Sequence, residues 1–257
     1  MSLSVTIIGH KEADHLRELL PLLKWVDEVI YLDCESEDES LQIAKEHGCK
    51  TFSRPNNRNL NINKTYAMGQ ASGDWILYLD PDERIPSELV DEIQEIVNSD
   101  SEFSAFQIKR KNHYFGKWLK HGSQYPDIQL RMFRRGKGKF ANHHVHEKLQ
   151  IDGKVGKFKG DMLHYPYLNI SQFLKKFDFY TSFEAEFLLE QNHSVNFLNH
   201  CRFFLLKPLT RFFRRYFLKG GFRDGIPGFF CAFFDAANIM VRYFKLWELK
   251  RHQRPSP

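Results

Sequence analysis

The feature that most constrains this chain is an apolar run at 75–79, Trp-Ile-Leu-Tyr-Leu, which ends abruptly in the carboxylates Asp80, Asp82 and Glu83. Its length and its aromatic and β-branched content predict a strand buried on both faces. Ligands of open α/β sheets bind outside the carboxyl ends of the strands, and neighbouring carboxylates can share a hard cation with a diphosphate. An acidic turn is the alternative, because Asp-Pro-Asp is good turn chemistry ahead of a helix predicted at 87–97. A ligand site and a turn explain this stretch equally well.

Strands and helices alternate around that run. Apolar runs predict strands at 3–8, 26–32 and 50–52, and helical spacing predicts helices at 12–23, 40–46 and 61–71, the first ended or interrupted by Pro21. This alternation predicts an α/β fold with parallel strands and right-handed crossovers. Neither G-x-G-x-x-G nor a Walker A sequence follows the first strand, so bound phosphates would need a cation held by the acids after Leu79.

The charge changes sign along the chain. Residues 1–100 have 9 Lys and Arg against 20 Asp and Glu, a net charge of −11, and the remainder has 28 against 12, a net charge of +16. Such polarity predicts that the basic part meets an anionic partner, which could be nucleic acid, a phosphorylated glycan or a lipid surface. The basic part has no recognised nucleic-acid motif, and we expect no nucleic acid partner.

Cysteine usage and apolar windows indicate a compartment. The four cysteines form no C-x-x-C pair, and the N-terminus opens on a strand rather than on a basic and apolar leader. The longest apolar candidate, residues 226–241, contains Asp235 and Asn238, so it predicts no bilayer-spanning helix. We expect a reduced, cytoplasmic chain.

The composition changes after residue 169. A helix is predicted at 170–189, and residues 202–251 hold 11 of the 24 phenylalanines and 11 Lys and Arg against three acids. Aromatic and basic residues on short helices, broken by Pro208, Gly220, Gly221, Pro227 and Gly228, are typical of a surface that lies on an anionic bilayer. A helical subdomain packed on a catalytic core is the alternative, and we expect both to hold. The basic residues expected to face the membrane are Arg211, Arg214, Arg215, Lys219 and Arg223.

Several motifs resemble the family-2 glycosyltransferases of the GT-A fold. The resemblance rests on Ser4-Val5-Thr6-Ile7-Ile8 with Glu12, on the turn Asp33 to Asp38, and on Leu79-Asp80-Pro81-Asp82-Glu83-Arg84. It extends over nearly the whole chain and is strongest to the branch that includes the lipopolysaccharide core β-1,4-glucosyltransferases. The motifs that carry this extension are Gln129 to Arg135, Val145-His146-Glu147-Lys148-Leu149, His164-Tyr165, Phe217-Leu218 and Gly220-Gly221-Phe222 with Gly225.

The resemblance implies a metal-dependent, inverting transfer from a UDP-hexose such as UDP-glucose to a glycan or lipid-linked acceptor. Asp82 would hold Mn²⁺ or Mg²⁺. Asp80 would contact the donor's ribose or sugar and would also be a metal ligand. His164 would be a third metal ligand, unless it is a core histidine. The other implied donor-binding residues are Thr6, Ile8, Glu12, Asp33, Ser36, Asp38, Lys64 and Arg131.

The resemblance also implies a division of the chain. Residues 1–168 would form the GT-A catalytic domain, with a nucleotide-sugar half at 1–100 and an acceptor half at 101–168, and residues 169–257 would form a helical membrane-associating extension. The enzyme would lie peripherally on the inner face of the cell membrane and act in lipopolysaccharide core or other cell-envelope polysaccharide synthesis.

Sugar transfer needs carboxylates of two kinds. Asp80 and Asp82 would serve the departing diphosphate and its metal, and a base from elsewhere in the sequence would deprotonate the acceptor hydroxyl. Glu147 and Asp127 are the candidates, and Glu147 is favoured because His146, Arg131 and other basic residues accompany it.

The chain departs from the family pattern on the nucleotide side. Lys11 stands where Asn is common, and Glu35, Glu37 and Glu39 stand in a turn that favours Gly and Thr. These departures bear on the nucleotide and the donor sugar, and they leave the metal site untouched. Two other functions compete with a transferase: a nucleic-acid-binding protein that uses the basic part, and a non-catalytic membrane protein with a decayed nucleotide-sugar site.

Overall fold

A computed structural model of the chain describes residues 1–57, 59–140 and 149–252. Its strands are β1 (Leu3–Gly9), β2 (Glu28–Asp33), β3 (Lys50–Ser53), β4 (Trp75–Leu79), β5 (Glu83–Arg84), β6 (Ala105–Tyr114), β7 (Lys117–Trp118), β8 (Asp127–Arg134), β9 (Gly138–Lys139), β10 (Gln150–Ile151) and β11 (Val155–Tyr167). Its α-helices are α1 (Ala13–Leu19), α2 (Ser40–Glu46), α3 (Leu60–Gly69), α4 (Ser87–Asn98), α5 (Ile170–Glu190), α6 (Phe197–Cys201), α7 (Lys207–Phe213) and α8 (Gly225–His252). Residues Leu20–Leu23 and Gly221–Asp224 are 3₁₀-helical, and Arg202–Leu206 and Arg214–Leu218 are π-helical.

The main sheet has the strand order β3-β2-β1-β4-β8-β6-β11-β5. β1 pairs in parallel with β2 and β4, and β2 pairs in parallel with β3. Gly9 lies opposite Asp33, and Asp33 opposite Ser53, so the carboxyl ends of these strands meet at one edge. β8 pairs antiparallel with β4, which makes the sheet mixed. The predicted α/β class with parallel crossovers is confirmed.

β4 lies at the centre of the packing. All five of its residues are buried. Trp75, Leu77 and Leu79 belong to one apolar cluster, and Ile76 and Tyr78 belong to another, because successive side chains of a strand point to opposite faces. The expectation of a strand buried on both faces is confirmed.

The end of α2 and the interruption of α1 follow from residues that the sequence marks. α2 covers the predicted residues, and Gly48 follows it with a φ of 74°, a left-handed conformation that glycine adopts without a steric penalty. α1 stops at Leu19, and the chain continues as the 3₁₀ segment that contains Pro21. Pro21 therefore interrupts the predicted helix at 12–23.

The C-terminal helices are longer than the sequence suggests. Residues 197–218 are helical without a break although Pro208 lies among them, and Pro227 and Gly228 lie in the first turn of α8. The expected breaks at these three residues are wrong. Pro208 follows a π-helical turn that alters the local carbonyl pattern, and the missing N–H of Pro227 falls where a helix has no internal acceptor. The break occurs at Gly220, which has a φ of 68°.

The chain divides into two compact units, in which Met1–Arg110 groups with Ile128–His164, and Lys111–Asp127 groups with the chain from Tyr165 onward. In the first unit, the larger apolar cluster joins β1 and β4 to α1 and α4. In the second, α5 packs on α8 through a cluster that includes Ala185, Ile239 and Tyr243. The functional boundary at 168 stays a prediction.

Cys34, Cys49, Cys201 and Cys231 are free thiols. None of the described helices combines the length and apolar content that crossing a bilayer requires.

Candidate active site at the end of β4

The turn after β4 is held by its own residues. Glu83 N donates to the carbonyl of Asp80 at 3.0 Å, and the Glu83 carboxylate accepts from Asp80 N at 3.0 Å. The buried Arg84 guanidinium donates to the carbonyl of Pro81 at 2.6 Å. The stretch is thus an acidic turn, as one interpretation of the sequence has it, and the side chains that the turn presents decide whether it is also a site.

Asp80 is held between two cations. Lys64 Nζ lies 2.9 Å from its Oδ1, and Arg131 Nη2 lies 2.7 Å from its Oδ2. Arg131 also donates to Glu83 Oε1 at 2.5 Å, and Arg110 Nη1 lies 3.0 Å from that same oxygen. The chain therefore brings four residues from α3, β5, β6 and β8 to Asp80 as a single charged network.

The network fixes the ionisation of Asp80. Burial by itself would raise the pKa of this carboxyl, but the charges of Arg131 and Lys64 outweigh burial and hold the pKa well below its usual range. Burial would likewise lower the pKa of Arg131, and Asp80 and Glu83 raise it instead. Asp80 is an anion at any physiological pH, so it can only accept hydrogen bonds.

Asp82 meets a different partner. β5 pairs antiparallel with β11, which places His164 opposite Glu83 and brings its Nε2 to 3.5 Å from Asp82 Oδ1. Both side chains are largely buried. Two donor atoms that each lie about 2.1 Å from one ion can be at most about 4.2 Å apart, so this pair fits a shared divalent cation.

These two residues are a partial ligand set. Among the residues that the structure describes, no three His, Cys, Asp or Glu side chains converge as a complete metal site. Asp80 faces Lys64 and Arg131, whereas Asp82 faces His164. A cation at Asp82 and His164 would take its further ligands from phosphate and water, as Mg²⁺ commonly does.

The ends of β1 and β2 form a polar turn region. Asp33 accepts from Ser36 N at 3.1 Å, and Ser36 Oγ accepts from Lys11 N at 2.9 Å. Asp38 accepts from Ala13 N at 3.2 Å, at the start of α1, and Glu12 N donates to Ser40 Oγ at 2.8 Å. Asp33, Ser36, Asp38 and Glu12 are thus brought together, and Asp38 holds a helix start in place.

Thr6 and Ile8 lie elsewhere. Both side chains are buried in β1, and Ile8 packs with Leu32, Cys34 and Ala67. The structure therefore places these two predicted donor-binding residues in the core rather than among the polar groups at the edge of the sheet.

Of the two candidate bases, Asp127 lies among the described residues. Asp127 lies in the second unit and accepts a hydrogen bond from Asn112 Nδ2 at 3.2 Å. Glu147, with His146, lies outside the described residues. The choice between them stays a prediction.

The sequence alone assigns no role to three charged residues at this turn, which are Glu83, Arg84 and Arg110. It marks Glu83 only as a third carboxylate, and it predicts neither the ion pair of Arg110 with Glu83 nor the contact of Arg84 with the turn. Glu83 and Arg84 are 0% and 6% exposed, which is unusual for charged residues. The available signal was their position directly after a buried strand, where a charge must find a partner.

Comparison with known proteins shows which family the chain belongs to. The model of the family described as "Glycosyl transferase family 2" matches residues 4–152. An uncharacterized glycosyltransferase of Rickettsia typhi is 30% identical over 247 residues, covering 91% of this chain and 84% of that protein. The lipopolysaccharide core biosynthesis glycosyltransferase LpsC of Rhizobium meliloti is 25% identical, covering 96% of this chain and 93% of LpsC.

A solved structure extends the likeness to the fold. The mannosyltransferase PcManGT of Pyrobaculum calidifontis, solved with GDP-Man and Mn²⁺, superposes with a TM-score of 0.56 at 10% identity, covering 96% of this chain and 87% of that one. The expected GT-A fold with a C-terminal helical, aromatic-rich region is confirmed. The chain belongs to glycosyl transferase family 2 and is a glycosyltransferase enzyme related to a lipopolysaccharide core transferase.

Proposed function

We propose that this enzyme transfers a hexose from a uridine diphosphate donor, such as UDP-glucose, to a glycan or lipid-linked acceptor of the cell envelope. The carrying observation is the separation of roles after β4, where Asp80 is held by Lys64 and Arg131 while Asp82 faces His164. The relationship to LpsC supports an acceptor in lipopolysaccharide core synthesis.

Asp82 and His164 would hold the divalent cation, Mn²⁺ or Mg²⁺. When bound, this ion supplies positive charge to the departing diphosphate. The fit rests on the 3.5 Å between Asp82 Oδ1 and His164 Nε2 and on the hard carboxylate oxygen that Asp82 offers.

Asp80 orients the donor. Because both of its oxygens already accept from cations, its remaining lone pairs favour hydroxyl donors, which the ribose and the sugar provide. Lys64 and Arg131 keep Asp80 ionised and add positive charge beside the leaving group.

The reaction itself is a single displacement. A carboxylate takes the proton of the acceptor hydroxyl while the hydroxyl oxygen bonds to the anomeric carbon of the donor. The bond from that carbon to the diphosphate oxygen breaks on the opposite face. The configuration therefore inverts, and the electron pair leaves with the diphosphate. Glu147 is the proposed base, with Asp127 as the alternative.

The enzyme would work peripherally on the inner face of the cell membrane. An exposed aromatic patch supports this proposal: Phe213, Phe217, Phe222, Phe229 and Phe233 are each 46–53% exposed. Phe212 and Tyr216 join them through ring contacts of 5.1–6.3 Å. Of the basic residues expected to face lipid, Arg211 and Arg215 pair with Asp235, and Arg214, Lys219 and Arg223 are exposed.

A thermal-shift screen tests the proposed donor and metal. UDP-hexoses with Mn²⁺ or Mg²⁺ should raise the unfolding temperature, since a ligand at a hundred times its dissociation constant stabilises by about 2.7 kcal/mol. GDP- and dTDP-sugars under the same conditions are the matched controls. If only GDP- or dTDP-sugars raise the unfolding temperature, the donor nucleotide is not uridine diphosphate. If a UDP-hexose raises it equally in EDTA, donor binding does not need the metal.

A further inference from the structure

The second unit contains a cavity of about 410 Å³ whose lining includes none of the residues assigned to the donor or the metal. Its wall on α8 is one face of that helix, because Cys231, Asp235, Asn238 and Arg242 recur at spacings of three and four residues. The volume lies in the range of about 300–1,000 Å³ that is typical of small-molecule sites.

One wall of the cavity is aromatic. Phe173 contacts Tyr167 at 4.8 Å, Phe234 at 4.9 Å and Phe177 at 5.9 Å between ring centroids. Phe177 in turn contacts Phe234 at 5.4 Å. Rings packed on one another in this way form a rigid apolar surface against which a flat ligand face can lie.

The rest of the lining is largely polar and charged. Asp235 pairs with Arg215 at 2.7 Å and with Arg211 at 3.4 Å, and Arg242 pairs with Glu184 at 2.7 Å. Asn238 lies between the two ion-paired groups along α8 and also lines the cavity. Three arginines against two carboxylates leave one positive charge in excess.

We propose that this cavity binds a pyranose ring that carries an acidic group, either a phosphate or a carboxylate. A pyranose has one face of C–H groups, which suits the aromatic wall, and a rim of hydroxyls, which suits planar amide, carboxylate and guanidinium groups. The excess arginine charge favours an anionic substituent. A lipid chain fits worse, because five of the lining residues are charged. The claim that the cavity binds a saccharide stands without the proposed function. The further claim that this saccharide is part of the acceptor glycan rests on the proposed function.

Direct binding to the full-length protein tests the inference. Titration calorimetry with a hexose 6-phosphate, a hexuronate, the neutral hexose and inorganic phosphate separates the ring from the charge and the phosphate from the carboxylate. We expect at least one acidic sugar to bind about tenfold more tightly than both the neutral hexose and inorganic phosphate. Absence of acidic-sugar binding, or equal binding of inorganic phosphate, overturns the inference.

Two variants locate the binding. Asn238→Leu keeps the side-chain size but removes the amide, and Phe234→Leu keeps an apolar group but removes the ring. Each should weaken acidic-sugar binding about fivefold to tenfold, and Lys219→Met, outside the cavity, should leave it unchanged. Undiminished binding in both cavity variants overturns the assignment to this cavity. Thermal unfolding confirms that each variant is folded.

Metal-dependent hydrolysis of the donor in water provides an independent readout. We expect it to persist in both cavity variants. If the protein binds an acidic sugar but does not hydrolyse the donor, the saccharide site stands and the proposed function fails. If it hydrolyses the donor but binds no acidic sugar, the proposed function stands and the saccharide site fails.

Discussion

Asp80 and Asp82 are separated by one residue, yet they face different chemistry. The turn held by Glu83 and Arg84 directs Asp80 to two cations and Asp82 to a histidine. An anion between Lys64 and Arg131 is already neutralised, so it is a poor ligand for a further cation. We infer that the second acid of the motif carries the metal and the first carries the donor.

Asp82→Ala should abolish metal-dependent nucleotide binding and lower transfer by roughly 10² or more, because a cation site loses its hard ligand. The unfolding temperature without ligand should change little. Asp74→Ala, at the opposite end of β4, is the matched control and should retain activity. Near-normal transfer by Asp82→Ala would remove Asp82 from the metal site.

The base is tested by substitutions that keep size. Glu147→Gln cannot accept the proton, so turnover should fall by roughly 10² or more while UDP-hexose binding persists. Asp127→Asn keeps an acceptor for Asn112 and should have a much smaller effect. The reverse pattern in steady-state kinetics would exchange the two roles.

Lys11 is one of the departures from the family pattern. It has a φ of 57°, a left-handed conformation that Asn adopts more readily than Lys, and Asn is common there in the family. The side chain pairs with Glu37 at 2.7 Å on the surface, an arrangement that contributes little to stability. The departure thus places a positive charge at the carboxyl end of β1, beside Ser36 and Glu37.

At the scale of elements, the network around Arg131 ties β8 to β4 and β5. Arg131 is 3% exposed and balances Asp80 and the fully buried Glu83.

Arg131→Met should lower the free energy of unfolding by about 3–5 kcal/mol, since it leaves buried charge uncompensated. Lys137→Met, which removes an exposed pair with Asp152, is the control for urea denaturation. A loss under about 1 kcal/mol would mean that Arg110 and Lys64 suffice to balance the acids.

Glu28 connects three strands through its carboxylate. Burial would raise its pKa, but hydrogen bonds with Lys50, Ser4 and Ser72 outweigh burial and lower the pKa from 4.5 to about 2. Because the folded pKa lies below the unfolded one, the carboxylate's contribution to stability is present above about pH 4.5 and is lost as the pH falls towards 2.

Glu28→Gln should therefore flatten the dependence of unfolding free energy on pH between about 4.5 and 2. Denaturation at a series of pH values measures this slope, and Glu102→Gln, on an exposed side chain, is the control. An unchanged slope for Glu28→Gln would contradict the assignment of the low pKa to Glu28.

Local sequence predicted the elements well and their long-range contacts poorly. The bounds of β4 and α2 follow from apolar periodicity and turn residues, which act within a few positions. The contact of Asp82 with His164 depends on the antiparallel register of β5 and β11, which no local pattern encodes. The continuity of the helix through Pro208 depends likewise on a π-helical turn that the composition conceals.

At the scale of the molecule, the uneven charge of the sequence places basic residues beside an exposed aromatic patch. Asp80 and Glu83 lie in the acidic first hundred residues, and residues 202–251 of the C-terminal helices carry 11 Lys and Arg against three acids. There, Arg214, Lys219 and Arg223 accompany the exposed aromatic patch, whereas Arg211 and Arg215 are paired with Asp235. A lipid surface is the partner that combines anionic charge with an apolar layer.

We therefore expect the protein to float with anionic liposomes and far less with neutral ones. Each Lys or Arg near an anionic leaflet contributes about 1 kcal/mol and is screened by salt, while inserted phenylalanines add a salt-resistant part, so high salt should weaken binding without abolishing it. Reversing Arg214, Lys219 and Arg223 to Glu should release the protein from anionic vesicles, and the double variant Phe213→Ser and Phe217→Ser should remove the part that survives high salt. Reversing Lys137 and Lys154, on the first unit, is the matched control. Wild-type protein that stays at the bottom of the gradient with anionic vesicles would show that the aromatic patch serves a partner other than lipid.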